Sequence, residues 1–407
     1  MSHPFTSRTA SLGLSLAAAL IAAVAATVSP LAQGAPKATP DTPFKLMTFE
    51  TGGRTRIGLV LGTRVFDIEG ANQALVTRTK VAAMTMPGEM KALIEQYATV
   101  SPRLYQIANY FGAQPAATLP FAFEVTAVKV LAPIKYPWNL MAASANYKAH
   151  AEGMGVAGAG QATPPPVAPT APAAPAAPAA PIGGATRPPA TGFDASAAAR
   201  VVPDRDAPIL FAKSPRSCII DPNEPFYIVD GRGRTDYEAE LAIIMGPRPA
   251  YRVARESAMD YVFGYSIMQD LSDRGSEKLR EVTMFPGTNW FDGKSLDRGA
   301  PFGPVIVPKE FLPRGPSDLR ITTKLNGTMV QDARTSNLIW SEPHLIAYIT
   351  SRMTLYPGDV IITGTPAGTG MERQVFLKPG DVVTVEVEGI GTLTTPFKAL
   401  SAKPPTP

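Results

Sequence analysis

The sequence predicts an α+β protein in which β-structure predominates, and two observations support this class. From residue 125 onward, short apolar runs alternate with Gly and Pro, which is the pattern of strands separated by turns. In that part only residues 341–353 have a firm helical pattern, with Ser341 as cap and Pro343 in the first turn. We therefore expect a small N-terminal α/β domain, residues 44–124, and a larger, mostly β domain, residues 125–399.

The N-terminal domain is predicted to combine a β-meander with two short helices. Residues 44–68 alternate apolar and polar side chains around Gly-containing turns. Residues 87–97 and 102–111 each begin with Pro, which helices accept in their first turn. In the larger domain the apolar runs predict strands at residues 229–230, 241–245, 305–307, 321–325 and 382–387.

The first 34 residues have the composition of an export signal. Arg8 is their only basic residue, an apolar stretch covers residues 12–28, and residues 32–34 offer small side chains for cleavage. We expect an exported, periplasmic protein whose mature chain begins near Ala35. The alternative is an N-terminal membrane anchor, because the 17 residues of the apolar stretch are at the short limit of a membrane span.

Amino-acid composition marks one segment that is not part of the folded core. Residues 155–205 form a Pro/Ala-rich tract without the large apolar side chains of a core, so they are predicted to be a low-complexity insertion in the larger domain.

The formal charge of +4 is not concentrated in basic runs with aromatics between them, and no nucleic-acid partner is expected. Cys218 is the only cysteine, which excludes an internal disulfide and suggests a small buried side chain.

Glu238 and Glu240 give the clearest chemical signal in the chain. Side chains alternate along a strand, so both carboxylates project to the same side. The apolar residues that follow place them at the edge of a core, where unpaired anions are costly. Asp270, which ends another apolar stretch, offers a third oxygen ligand for a hard divalent cation, Mg²⁺ first and Mn²⁺ second. For the Glu pair alone, the alternative is an edge strand whose acids face water.

Seven sequence blocks, in their order and spacing, resemble the fumarylacetoacetate hydrolase family between about Phe44 and Phe397. The blocks are NYKAH (146–150), PILFAKSP (208–215), DYEAEL (236–241), VFGYSIMQDLSDR (262–274), WFDGKSLD (290–297), PFGP (301–304) and LYPGDVIITGTPAGTG (355–370). The resemblance implies a rolled mixed β-sheet core that forms a homodimer. It also implies that Glu238, Glu240 and Asp270 hold a metal ion, which chelates a small 2-oxo or 1,3-dicarbonyl acid.

The resemblance extends to side chains around this site. Lys294 is expected to supply a second positive charge to substrate oxygens, with an ordinary surface Lys as the alternative. Arg274 is expected to hold a substrate carboxylate or to brace the metal ligands, with a surface ion pair to Asp273 as the alternative. Tyr147 and Thr365 are expected to contact substrate, although a strand-ending turn accounts equally well for the segment around Thr365.

The general base is where this chain departs from the resembling enzymes. Those hydrolases carry a His and, three residues later, a Glu on a short lid helix, and the carboxylate orients the imidazole that activates water. His150 matches the His, but Gly153 stands at the Glu position and Glu152 is the nearest acid. Side chains two residues apart on a helix point about 200° apart, so Glu152 orients His150 only if the lid is not helical there. We expect a remodelled lid with His150, Glu152 and Lys294 as the catalytic residues.

Three functions follow from these residues. The first is a metal-dependent hydrolase that cleaves a carbon–carbon bond in an acylpyruvate-type or other 1,3-dicarbonyl acid through a metal-stabilised enolate, in the degradation of aromatic compounds. The second is an isomerase, tautomerase or decarboxylase of hydroxymuconate-type 2-oxo diacids, which uses the enolate without attack by water. The third is a non-catalytic exported binding protein. The altered lid supports this hypothesis, and the intact metal ligands argue against it.

Overall fold

Strands dominate the chain in the computed structural model, as the sequence predicts. The structure describes residues 35–115, 119–159, 200–229, 233–275, 290–312 and 315–400. The predicted export signal and residues 160–199 of the predicted insertion lie outside the described residues. The strands are β1 (Lys45–Thr51), β2 (Arg54–Leu61), β3 (Arg64–Asp67), β4 (Ala122–Glu124), β5 (Lys129–Leu131), β6 (Leu140–Ser144), β7 (Ile209–Ala212), β8 (Ile219–Ile220), β9 (Phe226–Ile228), β10 (Thr235–Asp236), β11 (Ala239–Met245), β12 (Val262–Gln269), β13 (Ser272–Asp273), β14 (Ala300–Pro308), β15 (Arg320–Leu325), β16 (Thr328–Arg334), β17 (Val360–Ile362), β18 (Val382–Val387) and β19 (Gly391–Ala399).

Helices occupy less of the chain and flank the strands. The α-helices are Ile68–Thr79, Met90–Glu95, Tyr97–Phe111, Lys148–Ala159, Pro215–Cys218, Trp290–Lys294, Glu342–Thr350 and Gly370–Arg373, and the 3₁₀-helices are Val125–Ala127, Arg255–Tyr261, Lys309–Phe311 and Thr335–Asn337. Among the described residues, no helix combines the length and the apolar character needed to cross a membrane.

The strands form one large mixed sheet and two smaller ones. In the described part of the chain the large sheet has twelve strands, with the central order β4-β3-β2-β1-β14-β12-β11-β17-β6-β7. Most neighbours are antiparallel, but β6 pairs with β17, and β8 with β14, in parallel. A second sheet has the order β16-β15-β18-β19-β9, and β10 pairs with β13 alone. This is the mixed architecture that the resemblance implied.

The N-terminal strands belong to the same large sheet as the strands of the predicted larger domain. Strand β1 pairs with β14 through Leu46 and Ile306. Leu104 and Ile107, from the helix Tyr97–Phe111, share an apolar cluster with Phe302 of β14. The described residues from Ala35 onward form a single compact unit. The division near residue 124 therefore stays a prediction based on sequence pattern.

Three helices in the N-terminal region differ from the prediction. The first predicted helix begins at Met90, so Pro87 precedes it and does not lie in its first turn. The second helix begins at Tyr97, so Pro102 lies inside it and not in its first turn. Proline removes one hydrogen bond from the helix, and the buried face that includes Leu104 holds the segment in place. The helix Ile68–Thr79 was not predicted, although the carboxylate of Asp67 caps it by accepting a hydrogen bond from the N–H of Glu69.

Strands β11 and β12 bring the acidic residues together. They pair antiparallel, with Ala239 opposite Gln269, and every residue of both strands is buried. The first residues of β11 therefore lie beside the last residues of β12. The N–H of Asp270 donates a hydrogen bond of 2.9 Å to the carbonyl of Glu238, which extends this pairing beyond the strands.

Candidate metal centre

Glu238, Glu240 and Asp270 converge at the end of the β11–β12 pair. One carboxylate oxygen of each lies within 4.8 Å of the others, and all three residues are buried. Burial excludes the alternative of an edge strand with water-facing acids. The N–H of Gly364 donates a hydrogen bond of 2.5 Å to Glu240 Oε2, which helps to fix the position of that carboxylate.

The electrostatics of the cluster differ from one carboxylate to the next. Burial, together with the charges of Asp270 and Glu238, raises the pKa of Glu240 well above its usual value. Burial opposes ionisation of Glu238 as well, but Lys294 and Arg274 hold the pKa of that carboxyl below its usual range. Three crowded carboxylate oxygens are hard ligands whose mutual repulsion a divalent cation relieves. These residues therefore fit Mg²⁺ or Mn²⁺ by their chemistry.

Lys294 is part of this cluster and not an ordinary surface residue. Its Nζ donates hydrogen bonds to Glu238 Oε2 at 2.7 Å and to Asp270 Oδ2 at 2.5 Å, and it lies 5.1 Å from the ring centre of Phe211. Burial would lower the pKa of Lys294, but Asp270 and Glu238 raise it, so the ammonium stays charged. The residue is the last of a short helix, Trp290–Lys294.

A second buried lysine, Lys213, was not among the predicted site residues. Its Nζ donates to Asp270 Oδ1 at 2.7 Å and to the carbonyl of Lys294 at 2.6 Å, and its side chain is fully buried. It therefore positions both a carboxylate and the segment that carries Lys294. Two features of the sequence could have indicated Lys213 as a site residue. It follows directly after the apolar strand β7, and it belongs to a block that resembles the family.

Arg274 braces the carboxylates from within the protein. Its Nε donates to Asp236 Oδ2 at 2.9 Å and its second guanidinium nitrogen contacts Glu238. Burial would lower the pKa of Arg274, but Glu238 and Asp236 raise it. Asp236 in turn accepts a hydrogen bond of 2.5 Å from the N–H of Gly370. Of the expected roles for Arg274, this geometry provides the bracing one.

His150 lies on the helix Lys148–Ala159, named here the lid helix, and it pairs with an acid that the sequence did not indicate. Its Nδ1 lies 3.2 Å from Glu372 Oε1, and both side chains are largely buried. The sequence allowed pairing with Glu152 only on a non-helical lid, and the structure pairs His150 with Glu372 instead; a catalytic role for Glu152 stays a prediction. The lid is helical at this point, so Glu152 points away from His150 and is exposed.

Tyr147 and Thr365 are both buried near the carboxylates. Burial and the charges of Glu240 and Glu342 raise the pKa of Tyr147, and its hydroxyl has no hydrogen-bond partner among the described residues. The hydroxyl oxygen of Thr365 accepts a hydrogen bond of 2.9 Å from Gln331, which leaves the hydroxyl proton available for donation. Contact of either residue with substrate stays a prediction.

Three further residues shape the site and were missed from the sequence. Gln331 lies on β16, far from every matched block, and carried no signal. Asp236 lies two residues before Glu238 in the same block, and no role was predicted for it. Glu372 follows the Gly-rich segment 364–370, and the capping box that it forms with Thr369 marks it as the start of a helix.

Comparison with known proteins identifies the class to which this fold and site belong. The sequence model of the fumarylacetoacetate (FAA) hydrolase C-terminal region matches residues 190–398. The chain therefore belongs to the fumarylacetoacetate hydrolase family, as its sequence blocks predicted. The family includes hydrolases and isomerases or tautomerases.

Three relatives illustrate this range. The mitochondrial oxaloacetate tautomerase of Xenopus laevis is 37% identical over 197 residues, which are 48% of this chain and 59% of that protein. The fumarylacetoacetate hydrolase of Exiguobacterium antarcticum has a TM-score of 0.58 and 28% identity, and the match covers 88% of this chain and 99% of that one. The maleylpyruvate hydrolase of Sphingobium sp. SYK-6, solved with manganese(II) and pyruvate, has a TM-score of 0.57 and 23% identity over 87% and 99% of the two chains. These neighbours confirm the predicted fold class.

Proposed function

We propose that this protein is a metal-dependent hydrolase that cleaves a carbon–carbon bond in a small acylpyruvate-type or other 1,3-dicarbonyl acid. The observation that carries the proposal is the buried cluster of Glu238, Glu240 and Asp270, with Lys294 against it. Mg²⁺ or Mn²⁺ bound by the three carboxylates would supply positive charge to the carbonyl oxygens of such an acid.

The protein's own residues would supply the remaining chemistry. Lys294 is held charged by two carboxylates, and it would stabilise negative charge on a substrate oxygen in a site from which water is largely excluded. His150, with Glu372 at Nδ1, is a base that would take a proton from water through its other ring nitrogen. Tyr147 and Thr365 each have a hydroxyl proton available to bind a substrate oxygen.

Tautomerisation is the second candidate function. The relative that is 37% identical over 197 residues is an oxaloacetate tautomerase. The same carboxylate cluster and Lys294 would favour the enol form of a 2-oxo acid, and His150 would then move a proton between carbon and oxygen. The two functions differ in whether the base acts on water or on substrate.

Product analysis separates these functions. Purified protein would be incubated with acylpyruvates, hydroxymuconate-type diacids and oxaloacetate, with Mg²⁺, with Mn²⁺ or with EDTA. Two acids formed only with metal support the hydrolase, an isomer supports the tautomerase, and CO₂ supports a decarboxylase. If no compound reacts and metal does not change the melting temperature, the enzyme proposals fail and the exported binding protein remains.

Two variants sharpen this experiment. Glu240→Ala is expected to abolish both activity and metal binding. His150→Ala is expected to abolish hydrolysis and, under the second candidate function, tautomerisation as well, while keeping the metal-dependent rise in melting temperature. Hydrolysis that survives in His150→Ala would remove the imidazole from the mechanism.

We also propose that the protein acts as an exported homodimer. The apolar stretch at residues 12–28 supports export, and the family resemblance supports the dimer. Sequencing of the N-terminus of secreted material tests cleavage near Ala35, and material that stays in the membrane fraction would favour the anchor. Light scattering of the purified protein measures the oligomer size.

A further inference from the structure

Phe211 and Trp290 form an aromatic pair beside the metal centre. Their rings are stacked, with centroids 4.9 Å apart and planes inclined by 27°. Phe211 lies on β7, the last strand in the order of the large sheet, and Trp290 is the first residue of the short helix that ends with Lys294. The pair therefore joins the sheet to the segment that carries Lys294.

Lys294 connects this pair with the carboxylates. Its Nζ donates hydrogen bonds to Glu238 and Asp270 and lies 5.1 Å from the ring centre of Phe211. An ammonium group has three N–H donors, so one donor beyond these two bonds can reach a substrate oxygen. A substrate held by that donor has Phe211 as a neighbour, because the ring lies so close to the nitrogen that binds it.

The exposure of these side chains rises from the metal centre towards solvent. The side chain of Lys294 is 8% exposed, Phe211 is half-buried, and Trp290 is 38% exposed. Phe211 and Trp290 therefore form an apolar surface, named here the aromatic wall, that leads from the buried ammonium to the outside. Tryptophan is highly buried on average in folded proteins, so an indole exposed beside a site is available for contact with a ligand.

We propose that the aromatic wall determines the substrate class, an acylpyruvate-type acid whose acyl group is large and apolar, such as a phenyl ring. The inference rests on the proposed function for the position of the 2-oxo acid, at the three carboxylates and Lys294. The acyl group then extends along Phe211 towards Trp290. A phenyl ring placed there leaves water and adds a third ring to an existing stack, whereas an acetyl group offers a single methyl group to the same surface.

The aromatic wall also disfavours acyl groups that end in a carboxylate. A charged group loses hydration when it packs against apolar rings, and this cost is large unless the charge is paired. The contact between Lys294 and Phe211 does not pair such a charge, because the ammonium is occupied at the other end of the substrate. Benzoylpyruvate is therefore expected to be preferred over both acetylpyruvate and fumarylpyruvate.

Binding of unreactive analogues tests the aromatic wall without turnover. 2-Oxo-4-phenylbutanoate has the chain of benzoylpyruvate but lacks the second carbonyl group that carbon–carbon cleavage requires, and 2-oxopentanoate is the matched compound without a ring. With full-length protein and Mg²⁺, calorimetry is expected to show at least about tenfold tighter binding of the phenyl compound. Trp290→Ala is expected to reduce this preference to about threefold or less, and Trp290→Phe, which keeps a ring, to retain most of it. Equal affinities in the wild type, or a preference that Trp290→Ala leaves unchanged, would overturn the inference.

Trp138→Ala is the matched control, because it also removes an exposed indole. Trp138 is 71% exposed and precedes β6, which runs parallel to β17. Gly364, which contacts Glu240, follows β17, so Trp138 lies at the opposite end of these strands from the metal centre. Trp138→Ala is expected to leave both affinities within about twofold of the wild type. A loss equal to that in Trp290→Ala would overturn the inference, and so would a changed oligomer size in Trp290→Ala, which would place the indole in a subunit interface.

Kinetics with the substrates provide the second readout. Under the proposed function, kcat/KM is expected to be at least about tenfold higher for benzoylpyruvate than for acetylpyruvate or fumarylpyruvate. Trp290→Ala is expected to lower kcat/KM for benzoylpyruvate at least about fivefold more than for acetylpyruvate. A wild-type preference for fumarylpyruvate would overturn the inference. If no acylpyruvate reacts while the phenyl analogue still binds through Trp290, the proposed hydrolysis fails and the aromatic wall stands as a binding surface.

Discussion

Replacing Glu240 by Gln is expected to stabilise the metal-free protein and to abolish its response to metal. Glu240 is 1% exposed and shares its surroundings with Glu238 and Asp270. Burial and those two charges raise its pKa well above the usual value. At neutral pH, Glu240 of the metal-free folded protein either keeps its proton or carries a negative charge that Glu238 and Asp270 repel. Either state lowers the free energy of unfolding, because an unfolded Glu ionises in water without this cost.

The size of this stabilisation follows from the difference between the pKa of Glu240 in the folded and in the unfolded protein. An unfolded Glu has a pKa of about 4.3, so keeping its proton at pH 7 costs at most about 4 kcal/mol. Gln removes that cost and keeps an acceptor for the N–H of Gly364, but its new NH₂ group, if unsatisfied, loses about 1–3 kcal/mol. A net gain of about 1–3 kcal/mol corresponds to a rise of roughly 2–6 °C in melting temperature. The gain is absent below about pH 4, where the unfolded Glu is protonated too, and grows as the pH rises.

Thermal unfolding with EDTA, Mg²⁺ or Mn²⁺ measures both effects. Wild-type protein is expected to gain about 2.7 kcal/mol at a metal concentration of 100 times Kd, and Glu240→Gln is expected to gain nothing. Glu386→Gln, at an exposed position, serves as the control that responds like the wild type. A Glu240→Gln protein that is less stable than the wild type in EDTA, or that still responds to metal, would refute the reasoning.

Two other variants test residues that contact the carboxylates, and a labelling experiment tests the burial of Cys218. Arg274→Lys loses the paired contacts to Asp236 and Glu238, so calorimetry is expected to show about 10–100-fold weaker metal binding; unchanged affinity would mean that Arg274 does not brace the site. Lys213→Met leaves the buried carboxylate of Asp270 without one of its two lysine partners. Chemical denaturation in EDTA is expected to show a free energy of unfolding lower by about 3–5 kcal/mol. An unchanged free energy of unfolding would contradict the burial of this ion pair. Cys218 is fully buried and its pKa is raised by burial, so thiol reagents are expected to label it only at the rate of unfolding; fast labelling of folded protein would place it at the surface.

The sequence was sufficient to predict the cluster of three carboxylates because strand geometry is periodic. Glu238 and Glu240 share a side of any strand, and the apolar residues after them imply burial. Asp270 joined them because an antiparallel neighbour returns to the same end of the sheet. The family blocks supplied Lys294 and Arg274 in the same way, since their spacing along the chain was matched even though Lys294 proved to lie on a helix.

The partner of His150 could not be found from the sequence because it comes from a distant segment. Helical spacing shows that Glu152 cannot orient His150 if the lid is helical, but it gives no means of choosing among acids about two hundred residues away. The sequence shows only that Gly153 stands where the resembling hydrolases carry a Glu, whereas the structure shows that Gly153 lies in close contact with Glu372. Local pattern determines which side chains share a face, and only the tertiary fold determines what meets that face.

The pairing of β1 with β14 has a consequence for what can be expressed alone. Strand β14 lies between β1 and β12 in the large sheet, so a fragment limited to the matched region, residues 190–398, would expose an unpaired edge in the middle of the sheet. It would also uncover the apolar cluster that Leu104 and Ile107 share with Phe302. Such an edge favours association between chains over folding. The segment that defines the family is therefore shorter than the unit that folds.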